Sequence, residues 1–480
     1  MTLACSVVGA AVVALDGTLL TIAQPTLQRD LHADFAEVQW TSTGYLVAVA
    51  SLLVFAGRLG DAYGHRRLFA FGTLGFAATS AAIALAPGIG WVIALRVLQG
   101  VFGALLQPAT LGMLRAAFPP DRLAMPIALR MSAIGLAAAL GPLVGGALVA
   151  AYGWRAVFAV TAIPALAIGV LAAVTRPTDP SPAPEGGPAG PGDRHGGPVK
   201  TAAGSRSALD LPGAVLLAVT LACLVHVLVA VSEAGWTTPT GLALGGAVAA
   251  GAAFARHERR TARPLLPAAL LRSRPVVAGL ATLLATSAVL FGALFVATYF
   301  LQDVRGLDPL STGLWVLPLA VLMVLGAPAS ALLQRRFGPR RTTVGGAALL
   351  AAGVLLLSRL DESATAATTG VCFGLLGAGF GTVMATATAV VVHEAPVADA
   401  GVAGGLQQTA MNVGPALGVA AATLLMTLDP ASGFVPAMRT ALLVLTGLAA
   451  LGAAAAFGLP GRRVSTSTSA SPSTSVSTSG

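Results

Sequence analysis

The stretch that decides the fold is 57–67, which reads Gly-Arg-Leu-Gly-Asp-Ala-Tyr-Gly-His-Arg-Arg. It lies between two long apolar runs, 38–56 and 68–86. Its three glycines allow a tight turn and close backbone approach, and Asp61 is its one acid among basic and titratable side chains. Arginines in such a loop stay in water or among lipid headgroups. The stretch therefore predicts a hairpin between two membrane helices.

The composition indicates a polytopic membrane protein. Hydrophobic residues make up 56% of the chain, charged residues 10%, and the mean hydropathy is +0.83, whereas a soluble domain is about 25% charged. The net charge of +9 raises nucleic-acid binding as a function. The basic residues, however, fall in short clusters between apolar runs and form no basic face on a soluble domain. We therefore expect a lipid bilayer, and no nucleic acid, as the partner.

The sequence contains no motif that predicts an enzyme. No polar stretch is long enough to fold as a soluble catalytic domain, so we expect no enzyme. Cys5, Cys223 and Cys372 lie far apart inside apolar runs, which predicts neither a disulfide framework nor a metal site. No Gly-x-x-x-x-Gly-Lys-Ser/Thr loop occurs, and Lys200 is the one lysine. We expect no cofactor, and the proton gradient remains as the energy source.

Apolar runs of about 20 residues, long enough to cross a bilayer, occur along nearly the whole chain. The first begins at Leu3 and continues past Asp16, so we expect a retained helix and not a cleaved signal peptide; whether the natural start lies upstream of Met1 stays open. The predicted spans are fourteen: 3–24, 38–57, 68–86, 91–114, 128–151, 156–174, 210–231, 240–256, 276–301, 311–334, 342–360, 367–392, 402–427 and 436–459.

These spans fall into groups of six, two and six. Between the first two groups lies a segment rich in Pro, Gly and Ser, which predicts a disordered linker, and the last residues are almost only Ser, Thr, Ala, Pro and Val, which predicts disorder. The predicted divisions are an N-terminal six-helix bundle 1–175, a cytoplasmic linker 176–207, an inserted two-helix hairpin 208–260, a C-terminal six-helix bundle 261–460 and a tail 461–480.

The distribution of basic residues predicts the orientation. An even number of spans puts both ends of the chain on one side, and most of the 28 Lys and Arg residues then share the side of the 57–67 loop, Arg130 among them. The exceptions are Arg29, Arg155, Arg305, Arg359 and Arg439, with Arg96 inside a span. By the positive-inside rule we expect a multi-pass protein of the bacterial cytoplasmic membrane with both termini in the cytoplasm.

The two sets of six spans look duplicated. Gly64 recurs as Gly338, and Gly141-Pro142 recurs as Gly414-Pro415, at nearly the same separation. Such an internal repeat predicts two parallel six-helix units with an insert between them. The copies differ in their acids, because Asp16 is matched by Leu290 and Asp61 by Arg335.

The 57–67 loop resembles the signature of the major facilitator superfamily, Gly-x-x-x-Asp-x-x-Gly followed by basic residues, although Ala62 stands where the family usually has a basic residue. Residues 141–146 resemble that family's antiporter motif, Gly-Pro-x-x-Gly-Gly. With the central pair of spans, the chain is similar to the fourteen-helix drug:proton antiporters. The resemblance implies an all-α major facilitator fold of two six-helix bundles plus two inserted helices.

Asp16 and Arg96 are the candidates for proton coupling. Asp16 lies well inside the first span, where burial disfavours the charged carboxylate, so that it can bind a proton near neutral pH. Arg96 lies in Arg-x-x-Gln-Gly, which resembles the family's helix-four motif, and we expect it to pair with Asp16 in one protonation state. Arg96 as a structural hydrogen-bond centre is the alternative.

The gating and substrate candidates follow from spacing and resemblance. In the family, the loop acid lies near the start of a C-terminal helix, here near Val402, so we expect Asp61 to latch the cytoplasmic side; an acid that only neutralises nearby arginines is the alternative. Small residues in the fifth span predict close helix packing, and its proline predicts a kink. The predicted gating residues are Gly57, Asp61, Gly64, Arg66, Arg67, Gly141, Pro142, Gly145 and Gly146, and the predicted cavity residues are Gln99, Phe291, Phe295, Gln408 and Asn412.

These patterns favour a proton-coupled antiporter, expected to be a monomer, that exports small hydrophobic or cationic compounds by alternating access. A facilitator-type importer or uniporter of a nutrient such as a sugar is the second hypothesis, and the antiporter motif argues against it. A non-transporting receptor is the third, and intramembrane charges argue against it because they are rarely kept without use.

Overall fold

The computed structural model describes residues 1–33, 35–119, 122–175, 210–261, 264–307, 309–427 and 433–461. The predicted linker 176–207 and nearly all of the tail 461–480 lie outside the described residues. Fourteen helices in the described part are long and apolar enough to cross a membrane, as the sequence predicts.

The helices extend a few residues beyond the predicted spans at most ends, because the flanking polar residues continue the helical turn. A short helix, α9, was not predicted. The bounds are α1 Thr2–Asp30, α2 Phe35–Tyr63, α3 His65–Ala84, α4 Ile89–Ala117, α5 Ala124–Tyr152, α6 Arg155–Val174, α7 Leu211–Ala234, α8 Thr238–Glu258, α9 Ala268–Arg272, α10 Arg274–Tyr299, α11 Pro309–Phe337, α12 Pro339–Leu357, α13 Ala366–Glu394, α14 Ala400–Thr427 and α15 Phe434–Ala456.

The two six-helix bundles repeat one packing pattern. In the N-terminal bundle α1 packs on α5, α2 on α4, and α3 on both α4 and α6. In the C-terminal bundle α10 packs on α14, α11 on α13, and α12 on both α13 and α15. Each pair in one bundle has its counterpart six core helices later, as a duplicated unit requires. The inserted helices α7 and α8 pack on each other, and α7 also contacts α2 and α14.

The hairpins α2–α3 and α11–α12 share their turn geometry. Gly64 precedes α3 with φ +95°, and Gly338 precedes α12 with φ +82°, values that glycine adopts without strain. The turn expected over 57–67 is therefore confined to Gly64. Gly57 and Gly60 lie inside α2, where the absence of a side chain permits close contacts. We call the end of the molecule that carries the α2–α3 turn the basic end.

The two bundles meet along two seams near the basic end. In the first, α2 crosses α14 so closely that a Cβ on Gly57 would overlap the carbonyl oxygen of Gly401, and a Cβ on Gly405 would lie 2.5 Å from the carbonyl oxygen of Leu53. In the second, α5 packs on α11, and the Ser132 hydroxyl donates to the Val324 carbonyl over 2.8 Å. These contacts join the two bundles at the basic end.

Candidate functional site

A buried polar network joins α1 to α4 in the middle of the N-terminal bundle. The Arg96 guanidinium donates from Nη1 to Asp16 Oδ2 over 2.6 Å, and Gln99 Nε2 donates to Asp16 Oδ1 over 3.2 Å. Asp16 and Arg96 are each 1% exposed and Gln99 is 0% exposed. The expected pairing of Asp16 with Arg96 is therefore observed, and Gln99, predicted for the cavity, belongs to the same network.

The rest of the network anchors this pair to α2 and α3. Arg96 Nε donates to the Thr41 carbonyl over 3.0 Å, and its guanidinium carbon lies 4.3 Å from the centre of the Tyr45 ring. Gln99 Nε2 also donates to the Ser80 hydroxyl over 2.6 Å. A buried carboxylate is tolerated when it is paired and hydrogen-bonded. Four helices thus converge on one carboxylate that is paired with Arg96.

Asp61 caps the start of α14 across the first seam. Its Oδ1 accepts from the Gly401 N–H over 2.7 Å, and its Oδ2 accepts from the Val402 N–H over 3.1 Å. These N–H groups belong to the first turn of α14, which has no intrahelical partner for them. The predicted position of Asp61 near Val402 is confirmed. His65 Nε2 lies 3.2 Å from Asp61 Oδ1, the same oxygen that accepts from the Gly401 N–H.

The arginines of the 57–67 segment have separate partners. Arg58 pairs with Asp399 over 2.8 Å, just before α14, and so adds a second link across the seam. We expected Arg66 and Arg67 to pair with acids on neighbouring helix ends. Arg66 instead donates to the Ala172 carbonyl over 2.9 Å and to the Thr175 hydroxyl over 2.8 Å, because the end of α6 offers free carbonyl oxygens there. Arg67 is exposed.

The glycines of α5 face two neighbours. A Cβ on Gly135 would lie 2.7 Å from the Met323 side chain of α11, in the other bundle, whereas Gly141 and Gly145 face α1. A Cβ on Gly141 would overlap the Thr18 side chain, and one on Gly145 would lie 3.0 Å from the Leu19 side chain. Gly146 has open space around it. The close contact therefore brings α5 against the helix that carries Asp16. Helix α5 is continuous through Pro142, and the kink there stays a prediction.

Arg130 is a buried charged residue near the start of α5. It lies within the predicted span 128–151, at the basic end with which we counted it, and is 1% exposed. Its Nε donates to the Thr110 hydroxyl of α4 over 3.1 Å. The apolar sequence around it gave the only signal that it lies within the span.

A family model described as Major Facilitator Superfamily matches residues 7–419. The chain belongs to this superfamily. Superfamily members are transporters that carry small molecules across membranes, so the chain is a multi-pass membrane transporter.

Relatives within the superfamily include resistance and export proteins. The tetracenomycin C resistance and export protein of Streptomyces glaucescens is 41% identical over 426 residues, covering 88% of this chain and 75% of that protein. A multidrug efflux pump of Mycolicibacterium smegmatis is 31% identical, covering 85% and 77%. The puromycin resistance protein of Streptomyces alboniger is 34% identical, covering 85% and 78%.

Solved superfamily structures show the same fold. The human organic anion transporter MFSD10 superposes with a TM-score of 0.64 at 17% identity, covering 95% of this chain and 98% of that one. The proton:xylose symporter XylE superposes with a TM-score of 0.60 at 14% identity, covering 94% of each. At these identities the likeness concerns the fold alone.

The remaining cavity candidates of this superfamily member lie on α10 and α14. Gln408 is 8% exposed. Neither its Oε1 nor Asn412 Nδ2 has a hydrogen-bond partner among the described residues. Both lie on the face of α14 that carries Gly401 and Gly405 toward α2, since these positions are separated by nearly whole helical turns. Phe291 is 41% exposed, whereas Phe295 packs against the C-terminal core. Their role as cavity lining stays a prediction.

Two members of the network, Tyr45 and the Thr41 carbonyl, were not predicted from the sequence. Tyr45 was not singled out, although it is one of only 4 tyrosines, and its buried hydroxyl has no partner. An aromatic residue with a polar group inside an apolar span was the available signal. The Thr41 carbonyl that accepts from Arg96 has no sequence signal at all, because every residue has a carbonyl.

Proposed function

We propose that this superfamily member is a proton-coupled antiporter that exports small apolar compounds from the cytoplasm, and that its basic end and both termini face the cytoplasm. The observation that carries the proposal is the fully buried Asp16–Arg96 pair in the N-terminal bundle. The resistance and export functions in the relatives' names support the direction of transport.

Proton coupling follows from the two states of the Asp16 carboxyl. When ionised, it neutralises Arg96 over a 2.6 Å contact. When it takes up a proton, Arg96 is left as a buried positive charge with only the Thr41 carbonyl, the Gln99 oxygen and the Tyr45 ring as neighbours. An uncompensated buried charge is strongly destabilising. Protonation therefore drives α4 toward an arrangement in which Arg96 meets water or another group.

Alternating access requires that the basic end open and close. The structure has this end closed by Asp61 on the start of α14, by the Arg58–Asp399 pair and by Arg115, which donates to the His393 carbonyl over 3.3 Å. An acid at a helix N-terminus contributes about 0.3–1 kcal/mol when exposed and up to about 2 kcal/mol when partly buried. Contacts of this size bias the closed state without locking it.

The geometry narrows the expected substrates. A cationic compound needs a buried carboxylate that is free, and among the described residues Asp16 is the one fully buried acid, held by Arg96 and Gln99. We therefore keep the hydrophobic part of the sequence prediction and leave the cationic part out of the proposal.

Everted membrane vesicles test the proposal. With an imposed pH gradient, acid inside, vesicles carrying the protein should accumulate an apolar fluorescent dye, and an uncoupler should abolish the accumulation. Accumulation that survives the uncoupler would contradict proton coupling. Uptake into right-side-out vesicles alone would instead favour the nutrient importer.

A further inference from the structure

The interior of the N-terminal bundle holds a cation that the proton-coupling pair does not use. Among the described residues, the fold completely buries Asp16, Arg96 and Arg130, each 1% exposed. Asp16 neutralises Arg96, so Arg130 is left as excess positive charge. An arginine keeps its charge at physiological pH. A buried charge is expensive unless it is paired and hydrogen-bonded.

The surroundings of Arg130 satisfy only part of its guanidinium. Its Nε has the Thr110 hydroxyl as acceptor over 3.1 Å, and that hydroxyl donates onward to the Gln107 carbonyl over 2.7 Å. Its Nη1 is buried without a partner. No carboxylate pairs with Arg130 anywhere in the described part of the chain. Buried donors without a partner are uncommon in native proteins, and each calls for an explanation, of which a ligand is one.

Arg130 contacts the same face of α4 as the proton-coupling pair. Its partner Thr110 is on the face of α4 that carries Arg96 and Gln99, because fourteen residues are nearly four whole turns. The two sites are separated by about 21 Å along α4 at about 1.5 Å per residue. Arg130 is thus the polar group nearer the basic end, and Asp16 is the one deeper in the bundle.

Residues of the second seam flank Arg130 on α5. Ile127 and Met131, which flank Arg130 on α5, belong to an apolar cluster with Leu111 of α4, Ala327 of α11 and Ala385 of α13. This cluster joins the two bundles. Separation of this cluster, when the basic end opens, is the route by which a compound would reach Arg130 in the proposal below.

We propose that Arg130 is a binding position for an anionic group, a carboxylate, on the exported compound. A planar guanidinium suits such oxygen pairs because it can donate two parallel hydrogen bonds. The donor that would complete the pair, Nη1, is the atom that has no partner. A lipid phosphate fits less well because Arg130 is almost fully enclosed by protein. The proposal rests on the export function and names the substrate as an apolar body with one negative group.

A matched pair of probes tests this, namely 1-pyrenebutyrate and its methyl ester. They share the flat apolar body and differ in the carboxylate. Binding to the purified full-length protein is followed by energy transfer from tryptophan to pyrene, with no proton gradient. The wild type should bind the acid roughly 10-fold more tightly than the ester, a difference of about 1.4 kcal/mol.

Variants locate the effect. Arg130→Gln should remove the preference for the acid while keeping ester binding, and Arg130→Lys should keep part of it. Arg67→Gln, which neutralises an exposed arginine at the same end, should leave it unchanged. If Arg130→Gln fails to fold, the test uses Arg130→Lys and the difference between acid and ester binding by the wild type. Equal binding of acid and ester by the wild type, or an acid preference that survives in Arg130→Gln, would overturn the proposal. Equal loss of acid and ester binding in Arg130→Gln would also overturn it, because that result indicates a structural role for Arg130.

Two further measurements complete the test. The first distinguishes a carboxylate on the substrate from a free or lipid phosphate, and the second distinguishes the anion position from the export function. Inorganic phosphate or a short-chain phosphatidic acid that displaces the pyrene acid fully, without displacing the ester, would assign the position to a general anion and overturn the substrate role. Intact acid preference in a protein that shows no uncoupler-sensitive export in vesicles would reject the export function and leave the anion position standing.

Discussion

The two six-helix bundles have the same packing and different interiors. Asp16 of α1 lies in a hydrogen-bonded network with Arg96 and Gln99. Its repeat counterpart, Leu290 of α10, is 2% exposed in an apolar cluster with residues such as Phe373 and Leu445. Helix geometry is thus preserved while the chemistry is concentrated in one half. The two bundles share one duplicated scaffold. Substitutions at a few positions place the fully buried charged residues of the described chain in the N-terminal bundle.

The two seams differ in the same way. Where α2 crosses α14, Gly57 and Gly401 bring backbone against backbone, and Asp61 caps the start of α14. At the equivalent crossing of α11 and α5, Ala331 and Ala128 pack in an apolar cluster, and the counterpart of Asp61 is the exposed Arg335. Charged side chains therefore reinforce the first seam, whereas the second is held by apolar packing and the Ser132–Val324 hydrogen bond.

The largest effect is expected at Asp16. Asp16→Asn keeps the size and the hydrogen-bonding edge but cannot exchange a proton, so proton-driven export should fall to background while the protein remains in the membrane. Everted vesicles under an imposed pH gradient measure this. Leu290→Met, at the equivalent position of the other bundle, should retain export. Normal export by Asp16→Asn would remove the asymmetry between the bundles from the mechanism.

The next effect is expected at the contact of α5 with α1. Gly141→Leu would drive a side chain into Thr18, and overpacking of this kind typically costs about 1–3 kcal/mol. We expect transport to stop more completely than ligand binding, because α1 and its Asp16 would be displaced. Gly146→Leu, on the same helix but in open space, is the control. Equal transport by both variants would show that the Gly141 face is not tightly packed in the membrane.

A smaller effect is expected at the α2–α14 seam. Asp61→Asn should open the basic end in part of the population and slow turnover, because a neutral amide interacts less with the helix N-terminus, by about 0.3–2 kcal/mol. Double electron–electron resonance between labels at Tyr63 and Phe337, both exposed, measures the distance after the native cysteines are replaced. Arg335→Gln should leave the distribution unchanged. An unchanged distribution in Asp61→Asn with lower expression would assign Asp61 to assembly.

The smallest effect is expected at His65, which supports Asp61 from within its own bundle. Its Nε2 lies 3.2 Å from Asp61 Oδ1, which also accepts from the Gly401 N–H. His65→Gln removes one of the contacts of this carboxylate, so it should lower the closed population and slow turnover by less than Asp61→Asn. The same spin labels check it. A change in the distance distribution as large as that of Asp61→Asn would contradict this order of effects.

Much of the fold was readable because a bilayer imposes length and polarity on each helix. The fourteen spans, the repeat and the candidates Asp16, Arg96 and Asp61 all follow from apolar runs interrupted at regular places. Tyr45, Ser80 and the Thr41 carbonyl could not be found in this way. Their roles depend on which helix faces which, and spacing along one helix carries no information about its neighbour.

The sequence alone predicts fourteen segments long and apolar enough to cross a membrane, in two related halves. It also shows that Asp16 and Asp61 of the first half have no acidic counterpart in the second. The packing of the helices is needed to show that Gly141 faces α1. It is likewise needed to show that Arg130, within its predicted span, is buried with Nη1 unpartnered. The physical reason is that hydrophobicity is a property of each segment alone. The pairing of a charge or the partner of a glycine depends on rotation and depth, which packing against other helices sets.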